Sequence, residues 1–480
     1  MKKYFRALVL GLLLLACEIG QAGSNSQSIA DAILAGEGSK SVAFNQQGEL
    51  SLLYWKVVYG NPNPADDFFD DPTGDFFQQH YFTQLIFATQ AVDGQFKEEV
   101  VATSEEVGWQ QHYGGFTHAV EVRDYTNASL VFDSHNQAHM LAYDGYDIVR
   151  FSRVNGVWQK VESTVIPCCS GNERENYMAV EIDQHDALHV LINHNASLYY
   201  ATNKSGEWQW EIAATDFNFV QHYYPNGELV DEDGNLYQMS YLPRFVSLAI
   251  DQDGFAHIGY CPAFKQYYYD GGPTRSTSQY QYASNRTGEW LTEVISLPAN
   301  TSSDAGYGGS VAINPVTQKP AIATFYVSRA KTGSAKAAKL LFHEKLNDRW
   351  VTKTIASKAN GYLAKDGNKG TGFAPLLKFD DQGKPVVAFS DFASQHFSFG
   401  ADEFAGQIRS AQKNRQGKWV IKTLYAQRKP LLNQVIYPSM AMKGSRQVFV
   451  STVQKSKLKG ISVINTDYQV VVIDQTQSSK

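Results

Sequence analysis

Short runs of alternating apolar and polar residues recur along this chain at regular intervals. One phrase repeats: an apolar strand, an Asp or Asn turn often followed by Gly, then a second apolar strand. It runs from Val42-Ala43-Phe44-Asn45 to Tyr54, from Leu130-Val131-Phe132-Asp133 to Tyr143, and from Val180-Glu181-Ile182-Asp183 to Asn193. It continues from Leu248-Ala249-Ile250-Asp251 to Cys261, from Val311-Ala312-Ile313-Asn314 to Tyr326, and from Leu377-Lys378-Phe379-Asp380 to Phe389. A degenerate seventh copy runs from Ser439-Met440-Ala441-Met442 through Lys443-Gly444 to Val450. Alternation of period two marks half-buried antiparallel strands. No helical period of any length competes.

A second phrase follows most copies: a strand, a polar turn and an aromatic that opens a further strand. The aromatics are Phe96, Trp158, Trp208, Trp290, Trp350 and Trp419, and turns such as Asn155-Gly156 and Gln416-Gly417 suit tight hairpins. Each unit is therefore four strands and averages about 65 residues. One four-stranded sheet cannot bury both its faces, whereas seven stacked radially bury each other and leave only short edges. The pattern predicts an all-β seven-bladed β-propeller with four antiparallel strands per blade, one domain over residues 17–480. An open β-sandwich pair is the competing arrangement.

The ends and the charge narrow the setting. Lys2, Lys3 and Arg6 precede an apolar run, Ala7 to Ala16, too short to span a bilayer. Residues 1–16 read as a signal peptide, with Leu14-Leu15-Ala16-Cys17 resembling a bacterial lipobox that makes Cys17 a lipid anchor. A cut after Ala22 would instead give a secreted protein. Either way the expectation is an exported protein, held to a membrane only through lipid on Cys17 and acting as a monomer. Loss of the leader leaves 39 cations against 48 acids, a net of −9. That excludes a general nucleic-acid binder, which needs a basic face, but allows an acidic substrate in a local basic cleft. Adjacent Cys168 and Cys169 with Cys261 do not make a disulfide framework.

On such a ring the loops entering each innermost strand share one rim, and the Asp turns share the other. Residues six or seven before each turn open the inner strands on the entry rim. They include Asn176, Arg244, Tyr307 and Phe373. Three long loops enter the same rim: Trp109 to Asn127 with His112 and His118, Asp216 to Leu242 with His222, Tyr223, Tyr224 and Tyr241, and Cys261 to Gln279. Long loops are commonly functional, and aromatics with a few cations suit sugars bearing acid groups, although Tyr-rich loops also pack on one another. His139, His189 and His257 each stand six residues after a turn Asp, so a packing or turn-bonding role is expected of that position. There is no Gly-x-Ser-x-Gly, no His-Glu-x-x-His, no phosphate loop and no convincing acid pair for glycoside hydrolysis.

His, Tyr and Arg suffice for elimination from a uronate. Arg neutralises the carboxylate, a base takes the C5 proton, an acid protonates the leaving oxygen, and no cofactor is required for the chemistry. At this level the chain resembles the propeller ulvan lyases of polysaccharide lyase family 24 and, more distantly, family 25. The resemblance rests on His118 in Gly114-Gly115-Phe116-Thr117-His118, His139 in Gln137-Ala138-His139, Tyr224 or Tyr223, and Arg244 in Tyr241-Leu242-Pro243-Arg244-Phe245. It implies endolytic cleavage beside a uronate in a sulfated, rhamnose-rich acidic polysaccharide. His118 or His139 would act with Tyr224 in proton transfer, Arg244 would hold the carboxylate, and Tyr223, Tyr241, Asn176 and Tyr307 would contact sugar. It also implies a structural zinc, for which His257 and Cys261, on one face of one strand, and His222 are the candidate ligands. A non-catalytic carbohydrate-binding propeller and a propeller glycoside hydrolase are the rival readings.

Overall fold

The computed structural model describes residues 25–35, 40–59, 78–103, 108–113, 116–119, 126–144, 147–167, 178–194, 197–215, 222–223, 229–230, 237–240, 244–261, 265–268, 280–295, 303–329, 335–357, 368–394, 407–426, 433–459 and 462–476. Within these residues every regular element is a strand, and the strands form seven blades of four antiparallel strands in a ring. The propeller read from the repeats is the observed fold. Blade 2 shows the plan: Thr126–Phe132 is innermost, followed outward by Ala138–Tyr143, Asp147–Val154 and Val157–Val165. Blades 3 to 6 repeat it from inner strands Met178–Ile182, Arg244–Ile250, Ser303–Ile313 and Asn368–Phe379. Blade 1 is built on Val42–Phe44, Leu50–Tyr59, Gln78–Gln90 and Phe96–Thr103, and a hairpin, Gly108–Tyr113 with Phe116–Ala119, widens it.

Blade 7 closes the ring. Its three inner strands are Asn433–Lys443, Arg446–Lys459 and Ser462–Thr476, but its outermost strand, Asn25–Ala30, comes from the other end of the chain. Pairing from Asn25↔Asp474 to Ala30↔Gln469 covers an edge that would otherwise be open.

The core is a set of seams between blades rather than one central mass. On Leu50–Tyr59, Leu53 and Trp55 pack against Leu130, Met140 and Phe151 of blade 2, while Leu52 and Tyr54 pack against Val450 and Val472 of blade 7. Blade 3 splits the same way, Val190 and Ile192 toward blade 2 and Leu191 toward blade 4. Successive residues of a strand point to opposite faces, so one alternating strand feeds two seams. The fourth-strand aromatics lock the outer edges. Trp158, Trp290, Trp350 and Trp419 meet Phe87, Tyr200, Tyr282 and Phe342 of the preceding blade edge-on, with centroids 5.0–5.4 Å apart. Each such pair contributes about 0.5–1.5 kcal/mol beyond its burial.

Candidate functional site

The ring has two rims, and the strand registers decide which residue lies on which. At the turn rim the Asp carboxylates are structural. Asp133 Oδ1 accepts from the backbone N–H groups of His135 (2.9 Å) and Gln137 (2.8 Å), and Asp251 Oδ1 from those of Asp253 (3.0 Å) and Phe255 (2.9 Å). The fourth turn residue is left-handed, φ 63° at Asn136 and 79° at Gly254, the conformation Asn and Gly tolerate best.

The second carboxylate oxygen faces the histidine six residues on. Asp133 Oδ2 lies 3.0 Å from His139 Nε2, and Asp251 Oδ2 lies 3.2 Å from His257 Nε2. Asp183 and His189 stand 3.3 Å apart, a looser contact. An ionised carboxylate only accepts, so in blades 2 and 4 the ring Nε2 donates to it, and in blades 2, 3 and 4 Nδ1 accepts from a hydroxyl. The hydroxyl belongs to Ser152 at 3.1 Å, Tyr200 at 2.6 Å and Tyr282 at 2.6 Å in blades 2, 3 and 4. Burial pushes His189 and His257 below the ordinary imidazole value, against the pull of their aspartates. Burial raises Asp183, but the N–H groups of Ala187 and His185 and the His189 ring outweigh it and hold the carboxyl low. The position expected to pack or bond a turn does so.

His139 is therefore committed at the turn rim, paired across the sheet with Val131 and Ser152. Arg244 is at the other rim: it is the first residue of its inner strand and pairs with Cys261, the last residue of the second. His118 lies on Phe116–Ala119, in the hairpin that extends Gln78–Gln90 at the end where Gln78 pairs with Gln111, away from the blade 1 turn. His222 and Tyr223 form a two-residue strand paired with Leu229–Val230, in the connection that leads into Arg244. Tyr307 lies on the inner strand of blade 5, where the register breaks between Ala305 and Gly309. For His118, His222, Tyr223, Arg244 and Tyr307 the strands are described and the side chains are not; Asn176, Tyr224 and Tyr241 lie outside the described residues. The topology thus brings the segments bearing His118, His222, Tyr223, Arg244 and Tyr307 to the entry rim and sends His139 to the opposite one.

His257 and Cys261 share a strand face, but four residues at about 3.3 Å each separate them by roughly 13 Å along it. His257 is bonded at the turn rim through both ring nitrogens, and buried Cys261 stands at the entry end. These two do not converge on one zinc ion, and no group of three His, Cys, Asp or Glu among the described residues could hold a metal. Facing the same way is not enough, because the strand rise keeps the two side chains apart.

Two groups escaped the sequence reading. At the entry end of blade 6, fully buried Asp391 accepts from Thr371 Oγ1 (2.6 Å) and from Arg409 Nη1 (3.0 and 3.2 Å). Its signal was an acid at the end of the apolar run Val386–Phe389. Along the axis, Glu181 and Lys378 put charges on inner strands two residues before their turns, where Ala43, Ala249 and Ala312 stand in other blades.

No protein-family model matches the chain, and no curated protein matches its sequence. Among solved structures, the chain is similar to the polysaccharide lyase Uly1, at 10% identity over 94% of this chain and 99% of that one, TM-score 0.43. It is also similar to a PL25 ulvan lyase, at 12% identity over 81% and 78%, TM-score 0.38. A GH93 α-L-arabinofuranosidase of Fusarium graminearum, solved with arabinobiose, is 10% identical over 73% and 92%, TM-score 0.37.

Proposed function

We propose that this propeller is a polysaccharide lyase that cuts a uronate-bearing, ulvan-like polymer by β-elimination at its entry rim. The observation that carries the reading is topological. Arg244 opens the inner strand of blade 4 at that rim, where the His118 hairpin of blade 1 and the His222–Tyr223 strand also lie. Arg is permanently charged and forked to match a carboxylate, so Arg244 is assigned to the uronate. Neutralising that carboxylate lets charge build as the C5 proton leaves. The electron pair of the C5–H bond becomes the C4–C5 double bond, the C4–O bond breaks, and the leaving oxygen takes a proton. His118 and Tyr224 are the proton-transfer pair, with Tyr223, Tyr241, Asn176 and Tyr307 along the sugar. His139 is not needed at the reacting carbon; its bonds to Asp133 and Ser152 give it a positional task in blade 2. Export and a lipid anchor on Cys17 belong to the same proposal, since a polymer of this kind is met outside the cytoplasm.

The test is a panel of uronate-bearing polysaccharides followed in the ultraviolet. Elimination creates an unsaturated uronate that absorbs there, whereas a hydrolase gives new reducing ends without absorbance and a binding module gives neither. Arg244→Ala and His118→Ala are expected to lose turnover by at least about 100-fold while remaining folded. Near-normal turnover in folded Arg244→Ala would refute the assignment.

A further inference from the structure

The turn half of the axis holds a cavity of about 380 Å³, lined by the inner strands of blades 3 to 7 and by Lys40. Its room follows from the repeat. In blades 4 and 5 the lining position two before the turn is Ala249 or Ala312, and in blades 3 and 6 it is Glu181 or Lys378. Lys40 Nζ is paired with Glu181 Oε2, so the one carboxylate deep in the cavity already has a cation. Lys378 forms no hydrogen bond or ion pair with any described residue. Burial first, and the neighbouring Lys40 charge second, push its amine down to about 8, with Glu181 opposing. The other acid of the lining, Asp381, is exposed in the blade 6 turn, where water screens it. Ser247 and Ser310 supply hydroxyls to the same wall. Ser247 Oγ accepts the N–H of Val311 at 3.0 Å, leaving its hydrogen to donate elsewhere.

Two ammonium groups around one carboxylate leave an excess positive charge in a half-open polar space at the axis. A small anion relieves that excess, and a volume of this size holds a tetrahedral oxyanion with several waters of about 30 Å³ each. We propose that the axial cavity is a binding site for a small inorganic oxyanion, phosphate or sulfate, held between Lys378 and Lys40 with hydroxyl donors from Ser247 and Ser310. The site is distinct from the entry rim and does not depend on the lyase reading.

The experiment is calorimetric titration and thermal melting of the mature protein with sodium phosphate, sodium sulfate and sodium chloride at matched ionic strength. Phosphate or sulfate should give a saturable heat and a saturable rise in melting temperature that chloride does not. Lys378→Arg should keep the saturable part and Lys378→Met should weaken it at least ten-fold. Sulfate and phosphate also stabilise folded proteins generally by exclusion from their surfaces, so a rise that never saturates and is equal in wild type and Lys378→Met overturns the proposal. If Lys378→Met does not fold, Ser310→Ala takes its place, with at least three-fold weaker binding expected and unchanged binding counting against the site.

Discussion

A methyl group added at Gly309 tests how tightly blades 4 and 5 are fitted. Tyr280 is fully buried, and its ring lies in a slot made by two glycines, Gly259 of its own blade and Gly309 of the next. A Cβ at Gly309 would stand 2.2 Å from Tyr280 Cε2, 2.3 Å from Cζ and 2.7 Å from the hydroxyl. Retreat is blocked, because a Cβ at Gly259 would meet the same hydroxyl at 2.4 Å. Gly309 is not among the positive-φ residues, so the cost of Gly309→Ala is steric rather than conformational. Overpacking of this kind costs about 1–3 kcal/mol, and a clash against an enclosed ring belongs at the upper end, about 3 kcal/mol. Tyr280→Ala should itself cost about 3–5 kcal/mol through the cavity it leaves. In that background Gly309→Ala has room and should be neutral or stabilise by up to about 1 kcal/mol, because alanine loses less backbone entropy on folding. The coupling between the two positions is then about 3–4 kcal/mol. Urea unfolding of the wild type, the single variants and the double variant measures it. An equal cost for Gly309→Ala with and without the ring would refute the fit.

Acid should loosen the fold from about pH 6.5 downward. Burial holds His343 at about 4, and His189 and His257 are also lowered, so between pH 6.5 and 4 the unfolded chain takes up protons that the folded chain refuses. The His343 shift alone removes about 3 kcal/mol by pH 4; urea midpoints should fall less steeply with acid in His343→Gln, and parallel curves would count against burial as the cause. Deleting residues 25–30 exposes the edge of Ser462–Thr476, and is expected to lower the melting temperature and promote association on gel filtration, with partial rescue by a peptide of that strand; an unchanged melt would show that the closing strand is dispensable. Asp391→Asn leaves the Arg409 guanidinium without its carboxylate and should cost about 3–5 kcal/mol by chemical denaturation, much of it regained in Asp391→Leu with Arg409→Met; no loss in the single variant would mean that the pair is solvated.

The blade count, the strand order within a blade and the structural part played by the turn Asp were all legible in the sequence. They are local properties, carried by period-two alternation and by turn chemistry within a few residues, and repetition supplied several independent readings of each. The turn-bonding role of the slot held by His139, His189 and His257 was legible for the same reason, since a residue recurring at one slot meets the same neighbours in every blade. The catalytic part given to His139 and the zinc part given to His257 came from resemblance and not from the repeat. Between blades, tertiary structure decided. That Asn25–Ala30 completes blade 7 follows from ring closure, which no local pattern encodes. That His257 and Cys261 cannot share an ion follows from strand rise, and that His118 and His139 lie at opposite rims follows from register. The Asp391–Arg409 pair and the Lys40–Glu181–Lys378 group join residues from different strands or blades whose meeting is fixed only when the sheets stack. Alternation tells each residue which way to face, and only the closed ring sets what it faces.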